Sequence, residues 1–203
     1  MDLLTLQTIP LFPLPNVVFF PKTFLPLHIF EPRYRAMVQD AAQKDQPIGM
    51  VLLKEGWERN YEGAPAVHQI GCAGRIVALD ALPDGRFNIV LSGAYRFAIE
   101  SESKSKAYRE AQVRRIGGPA WRRLSDRLRR DLLDAVRRSL ERPTVSRELG
   151  ALTQAVEDPE MLVNLISNEL ALTEVEKQFL LESATLEQQA KRLMELIRLQ
   201  GGG

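Results

Sequence analysis

The chain carries one thiol and two imidazoles, Cys72, His28 and His68. A cysteine nucleophile needs an adjacent base or a depressed pKa to react. Cys72 instead sits inside the apolar run Ile70-Gly-Cys-Ala-Gly-Arg-Ile-Val-Ala-Leu79, where free cysteine behaves as a small hydrophobe. His28, between Leu27 and Ile29, reads as a hydrogen-bonded structural histidine on a strand, and His68 falls in a loop. One thiol with two imidazoles does not make a zinc site, and one cysteine makes no internal disulfide. There is no Gly-x-x-x-x-Gly-Lys-Ser/Thr loop to cradle nucleotide phosphates. No catalytic residue, no metal and no cofactor is therefore expected.

Binding chemistry is better represented. The segment Lys54-Glu-Gly-Trp-Glu-Arg-Asn-Tyr-Glu-Gly-Ala-Pro-Ala-Val-His-Gln69 is long for a connection between strands and sets Trp57 and Tyr61 among charges. Long loops tend to carry function, and amphipathic aromatics are the usual anchors of protein recognition. Two readings of Trp57 stand side by side: an exposed anchor, or a lid folded over its own core. A second candidate, Phe30-Glu-Pro-Arg-Tyr34, joins aromatics and charge at a strand-to-helix corner. There Glu31 also suits the positive end of a helix starting at Pro32. The candidate polypeptide-binding residues are thus Trp57, Tyr61, His68, Phe30 and Arg33.

Net charge is +1, unevenly spread. Residues 114–142 hold 10 arginines against four acids, a net of +6, and residues 143–203 a net of −5. A basic stripe is a footprint for nucleic acid. Here the arginines flank the amphipathic stripe Leu124, Leu128, Leu132, Val136 and Leu140, with acids at pair spacings such as Asp126–Arg130 and Asp134–Arg138. No aromatic series accompanies them to stack bases, which argues against nucleic acid.

The elements that must position these groups fall into two sets. Residues 9–116 read as strands. Prolines at 10, 13, 15, 21, 26 and 32 interrupt short apolar runs, exclude long helix, and confine strands to edges or strand ends. Leu82-Pro-Asp-Gly85 is a turn signal joining a strand near Cys72–Ala81 to one near Arg86–Leu91. Gly71, Gly74 and Gly93 suggest bulges or corners of a curved sheet. One short helix begins at Pro32, with Tyr34, Val38 and Ala41 on one face. Gly117-Gly-Pro119 marks a boundary, after which the apolar period becomes helical. Pro143 ends the first helix, and Val145, Leu149, Leu152 and Val156 suggest a second. Asp158-Pro159 begins a third, and capping spacings at Thr173/Glu176 and Thr185/Gln188 begin two more.

The stretch Ile9-Pro-Leu-Phe-Pro-Leu-Pro-Asn-Val-Val-Phe-Phe-Pro-Lys-Thr-Phe-Leu-Pro-Leu-His-Ile-Phe-Glu-Pro-Arg-Tyr-Arg35 resembles the start of the Lon N-terminal domain family. The likeness continues through Ile48–Leu53, Ile70–Leu79 and Leu82–Phe97, and resumes at Asp158-Pro-Glu-Met-Leu and Glu176–Glu182. It implies the substrate-recognition module of Lon proteases, here a free-standing member without the ATPase and Ser/Lys protease modules. The implied fold is α+β: a PUA-like β pseudo-barrel with one short helix over 1–117, then an α-helical bundle over 118–203. The implied partners are unfolded or apolar polypeptide segments or a protein partner. A homodimer or scaffold role, and RNA or small-ligand binding in the barrel, are the alternatives. No run approaches the ~18 apolar residues of a membrane span, and the start lacks a secretory signal, so a cytoplasmic setting is expected.

Overall fold

The apolar run Ile48-Gly-Met-Val-Leu-Leu53 shows no polar alternation, as expected for a strand buried on both faces. The computed structural model describes residues 6–60, 63–103, 105–118, 121–139, 153 and 155–200. The chain divides into two compact units, Met1–Ile116 and Gly117–Gly203.

The first unit contains β1 (Leu6–Leu14), β2 (Phe24–Ile29), helix α1 (Pro32–Gln43), β3 (Ile48–Leu52), β4 (Ile70–Ala81), β5 (Phe87–Ser103) and β6 (Arg109–Ile116). The strands form one mixed six-stranded sheet in the order β2-β5-β4-β3-β1-β6. A further pairing of β5 with β6 closes five of these strands into a ring, with β2 outside it on β5. Among the described residues, only β1 and β3 run parallel.

Period-2 alternation sorts the side chains of β1, β3 and β4 into two cores. Ile9, Leu11, Val51 and Ala73 join Phe97, Ala111 and Val113 in a cluster built from all five ring strands. Phe12, Ile48, Met50 and Cys72 face the other way and pack with Ile29, Phe87, Ile89 and Leu91 beneath α1, which contributes Tyr34, Met37, Val38 and Ala41. Phe97 is fully buried at the centre of the ring cluster. A Cβ on Gly71 would meet the Phe97 ring at 2.6 Å and Met50 O at 2.5 Å. Gly71 is therefore no bulge; it makes room for Phe97. The register shifts lie at Ala73/Gly74 and Ile76/Ala78, where Gly74 pairs with Gly93.

The prolines also behave differently from the sequence expectation. β1 holds Pro10 and Pro13 although it lies inside the sheet order. β6 pairs with residues 6–11 of β1 and β3 with residues 11–14, so only Leu11 has partners on both sides. Each proline keeps one open side where its missing N–H is not needed. Pro26 does lie on a terminal strand, β2. The Leu82–Gly85 turn is as read from sequence, with Gly85 at φ 79 and Leu82 N–H donating to Arg86 O (2.9 Å).

The second unit contains α2 (Asp126–Ser139), α3 (Pro159–Glu169), α4 (Glu174–Leu181) and α5 (Leu186–Leu199). The caps follow the sequence signals. Asp158 accepts from Met161 N, Thr173 and Glu176 form both legs of a capping box, and Thr185 accepts from Gln188 N. Helix α5 packs on α2, α3 and α4 and buries Leu186, Ala190, Leu193 and Ile197. The helix expected over Val145–Val156 lies for the most part outside the described residues. Acid pairing on α2 is Arg127–Asp131 (3.9 Å) and Arg137–Asp134 (3.3 Å), rather than the Asp126–Arg130 and Asp134–Arg138 spacings. Arg129 donates to the carbonyls of Val156 and Glu157, and Arg122 pairs with the buried Glu160. Several of these arginines thus serve the unit's own structure.

Gly71→Ala should lower stability by about 2 kcal/mol through overpacking against Phe97. Urea unfolding at neutral pH reads that difference directly.

Candidate functional site

Pro32 occupies the first turn of α1 and sets the direction in which Arg33 and Tyr34 leave the strand-to-helix corner. Glu31 precedes it without capping the helix through its side chain. Its carboxylate instead accepts from Arg33 Nε (2.9 Å) and lies 2.8 Å from Nη2. The guanidinium lies 4.7 Å above the Tyr34 ring, which itself packs on Phe12 at 4.2 Å between centroids. Arg33 is thereby held flat by an acid on one side and an aromatic face on the other.

Opposite this corner stands the connection between β5 and β6. Lys106 Nζ donates to Asp40 Oδ2 of α1 (2.8 Å) and to Tyr108 Oη (2.7 Å). Tyr108 Oη in turn donates to the same carboxylate oxygen (2.6 Å). Bonds from Lys106 and Tyr108 hold the Asp40 carboxyl below the usual carboxylate range. The Asp40 bond holds the Lys106 ammonium well above the usual lysine value, and burial pushes the Tyr108 phenol up. This clip ties the strand connection to α1. Arg109 ties in a third segment, donating from Nη1 to Pro65 O (2.8 Å) and from Nε to Glu102 (2.9 Å).

Between these anchors lies a groove of about 430 Å³. Pro13, Tyr34, Leu53, Ala64 and Pro65 supply apolar surface, and Arg33, Lys106, Tyr108 and Arg109 supply polar atoms. The three cations are matched by Glu31, Asp40, Glu110 and Glu102. A groove with apolar walls and internally paired charge suits a largely uncharged extended ligand better than a phosphate. It offers hydrogen bonds and stacking surface without a nucleophile–base pair. Among the described residues, no three His, Cys, Asp or Glu side chains gather to hold a metal ion.

Of the residues singled out from sequence, Arg33 lines the groove, together with Gly63, Ala64 and Pro65 of the long loop. Trp57 lies elsewhere, on the short 3₁₀ turn Trp57–Asn60, partly buried against the ring cluster. That is the lid arrangement, one of the two sequence readings. Tyr61 lies outside the described residues. His68 is partly buried, and its backbone N–H donates to Leu52 O (2.9 Å). Phe30 is 60% exposed, its ring 6.3 Å from the His28 imidazole. His28 Nδ1 lies 2.7 Å from Asn88 Oδ1, and Arg86 Nη1 3.3 Å from His28 Nε2. A guanidinium can only donate, so His28 accepts at Nε2 and donates at Nδ1. Cys72 is fully buried. Tyr34 fell within the second candidate segment, whereas sequence reasoning missed Lys106, Tyr108 and Arg109. The signal available was the Lys106-Ala-Tyr-Arg109 cluster directly after the serine-rich stretch 101–105.

The chain matches the family model of the ATP-dependent protease La (LON) substrate-binding domain over residues 8–198. It belongs to that family. It is similar to Lon protease 2 of Myxococcus xanthus, 27% identical over 197 residues, covering 94% of this chain and 23% of that protein. Lon protease of Anaeromyxobacter dehalogenans is 26% identical over 195 residues, 93% of this chain and 23% of that one. The chain thus spans about a quarter of the length of these curated relatives. Among solved structures, a Lon N-terminal domain protein from Xanthomonas campestris superposes with a TM-score of 0.68 at 22% identity. The N-terminal domain of Mycobacterium avium complex Lon protease gives 0.73 at 17%. Each comparison covers 95% of this chain and 98% of the other. These likenesses establish the α+β Lon N-terminal fold. Among the described residues, no helix is long and apolar enough to cross a membrane.

Two predictions follow from this geometry. Trp57→Ala should lower stability by about 2 kcal/mol, because the indole covers the ring cluster; chemical denaturation reads it. Asp40→Asn should cost about 1 kcal/mol at pH 7. A carboxyl depressed in the folded state contributes stability above its unfolded pKa and loses it as pH falls through the folded value. The gap between wild type and Asp40→Asn should therefore narrow below about pH 4, in paired urea melts.

Proposed function

We propose that this chain is a non-catalytic recognition module that holds extended, largely apolar polypeptide segments or a protein partner. The observation that carries the reading is the family match, which spans the chain and lies wholly within the substrate-binding domain of Lon. The groove beside Arg33 and Tyr34 is the contact surface this reading favours. Its apolar walls accept varied side chains, while its polar atoms address a peptide backbone. The closed strand ring is read as a PUA-like pseudo-barrel and the helices of the second unit as a bundle, with the cytoplasm as the setting. Cleavage or unfolding of a bound client falls to an ATPase and protease acting with this module. Gly63, Ala64 and Pro65 of the long loop line this groove, and Phe30 flanks the corner from which Arg33 projects. The self-paired arginines of the second unit weigh against nucleic acid as the ligand.

The test is fluorescence anisotropy with reduced, carboxymethylated α-lactalbumin, a permanently unfolded chain. Binding in the range of about 1–100 µM is expected, with little change between low and high salt. Ala64→Trp, which fills the groove, should weaken binding about tenfold, or about 1.4 kcal/mol, without shifting the melting temperature. RNA binding with a steep salt dependence, or a stable dimer with no affinity for unfolded protein, would replace this reading.

A further inference from the structure

The hairpin of β4 and β5 reaches beyond the closed ring. β3 pairs with β4 only as far as Ile48↔Gly74, whereas β5 stays beside β4 to Ala81↔Phe87. Among the described residues, 75–81 of β4 therefore have a strand on one side only. The hydrogen-bond phase is set at two points: Leu82 N–H donates to Arg86 O, and Gly93 N–H donates to Thr23 O, each at 2.9 Å. In an antiparallel ladder the direction of the backbone groups alternates with every residue. Counting from Leu82, Ala78 and Asp80 turn their N–H and C=O toward β5, and Leu79 and Ala81 turn theirs to the open side. Counting from Gly93 gives the same phase, with Ile89 serving β2 and Val90 serving β4.

The two open edges of this three-stranded extension are treated differently. On β2 the same alternation turns Pro26 outward, so that edge lacks a donor at its middle, a common device against unwanted pairing. The β4 edge has no proline. It presents Val77, 56% exposed, and Leu79, 42% exposed. Leu79 shares its face with Ile89 of the apolar cluster under α1. The slot lies in line with β3, because the chain entering β3 turns aside at Asp45 (φ 46), where Arg75 Nη1 donates to Asp45 O (3.0 Å).

We propose that residues 77–81 of β4 form a strand-addition site for an extended segment of another polypeptide, apolar at alternate positions and neutral or basic opposite Asp80. The inference rests on the recognition reading above and gives it a second station, in which backbone bonds supply affinity with little demand on sequence. Charge decides the occupant. A second copy that satisfied both Leu79 and Ala81 would pair each Leu79 with the other's Ala81. That register sets the two Asp80 side chains directly opposite each other, and like charges so placed destabilise a strand pair. A foreign strand with lysine, arginine or a neutral residue there meets no such repulsion.

The test is amide hydrogen exchange on the full chain with the acetylated, amidated peptide Thr-Val-Lys-Val-Thr-Val. Peptide should slow exchange about tenfold at Leu79 and Ala81, while Ala78 and Asp80 are protected already in the free protein. Replacing the lysine by glutamate should weaken binding about threefold. Leu79→Pro, which removes an outward N–H that β5 does not use, should weaken it about fivefold, and Leu79→Val should leave it unchanged. Exchange on the unmodified protein decides the matter should Leu79→Pro fail to fold. Binding of the peptide or of carboxymethylated α-lactalbumin with unchanged exchange at Leu79 and Ala81 overturns the edge site alone. Loss of all binding to both probes overturns the recognition reading, and this site with it. Protection at Leu79 and Ala81 in the free protein that rises with its concentration would assign the edge to a second copy and also overturn the proposal.

Discussion

The strand unit depends on the space made for Phe97. A five-stranded ring leaves room for few large side chains, and here one phenyl ring reaches the walls at Gly49 and Gly71. Alanines 73 and 111 complete the small lining around it. Interiors at crystal-like density tolerate neither a void nor an added methyl in such a place. Full burial of one phenylalanine is worth about 1.5–3 kcal/mol. Phe97 contributes that burial within a cluster to which all five ring strands add side chains.

Closing the ring turns the alternate side chains of β1, β3 and β4 outward as a second apolar surface, and α1 covers it. The candidate groove follows from that cover. Burying Tyr34, Met37, Val38 and Ala41 sets the rotation of the helix, and rotation in turn places Arg33 at one wall and Asp40 within reach of Lys106 and Tyr108. The charges lining the groove are matched by neighbouring carboxylates and by a backbone carbonyl, and its walls are apolar. Such chemistry fits a member of the Lon substrate-binding family, whose match here runs over residues 8–198.

Much of the local structure could be read without coordinates because it rests on short-range chemistry. Pro32 starts a helix since its fixed φ and missing N–H cost nothing there. Asp158, Thr173 and Thr185 cap helices because their side chains reach donors three residues on. The Leu82–Gly85 turn needs only a residue tolerant of positive φ at its end. The period-2 and helical patterns likewise separate strands before residue 117 from helices after it. The glycine and proline rules were less complete. Gly71 answers to a phenyl ring 26 positions away, and the prolines of β1 are tolerated because its two neighbours overlap at one residue only.

By itself, then, the amino-acid order determined which segments extend, which coil, where they turn and which family they belong to, since each of these follows from neighbours along the chain. Tertiary structure alone decided that Trp57 lies against the ring core and that Arg33 meets Pro65, Lys106 and Tyr108 across one groove. It also decided that one edge of the hairpin is left open. Those outcomes depend on which strand lies beside which, and pairing partners are chosen by packing between residues far apart in sequence, a choice no local pattern encodes.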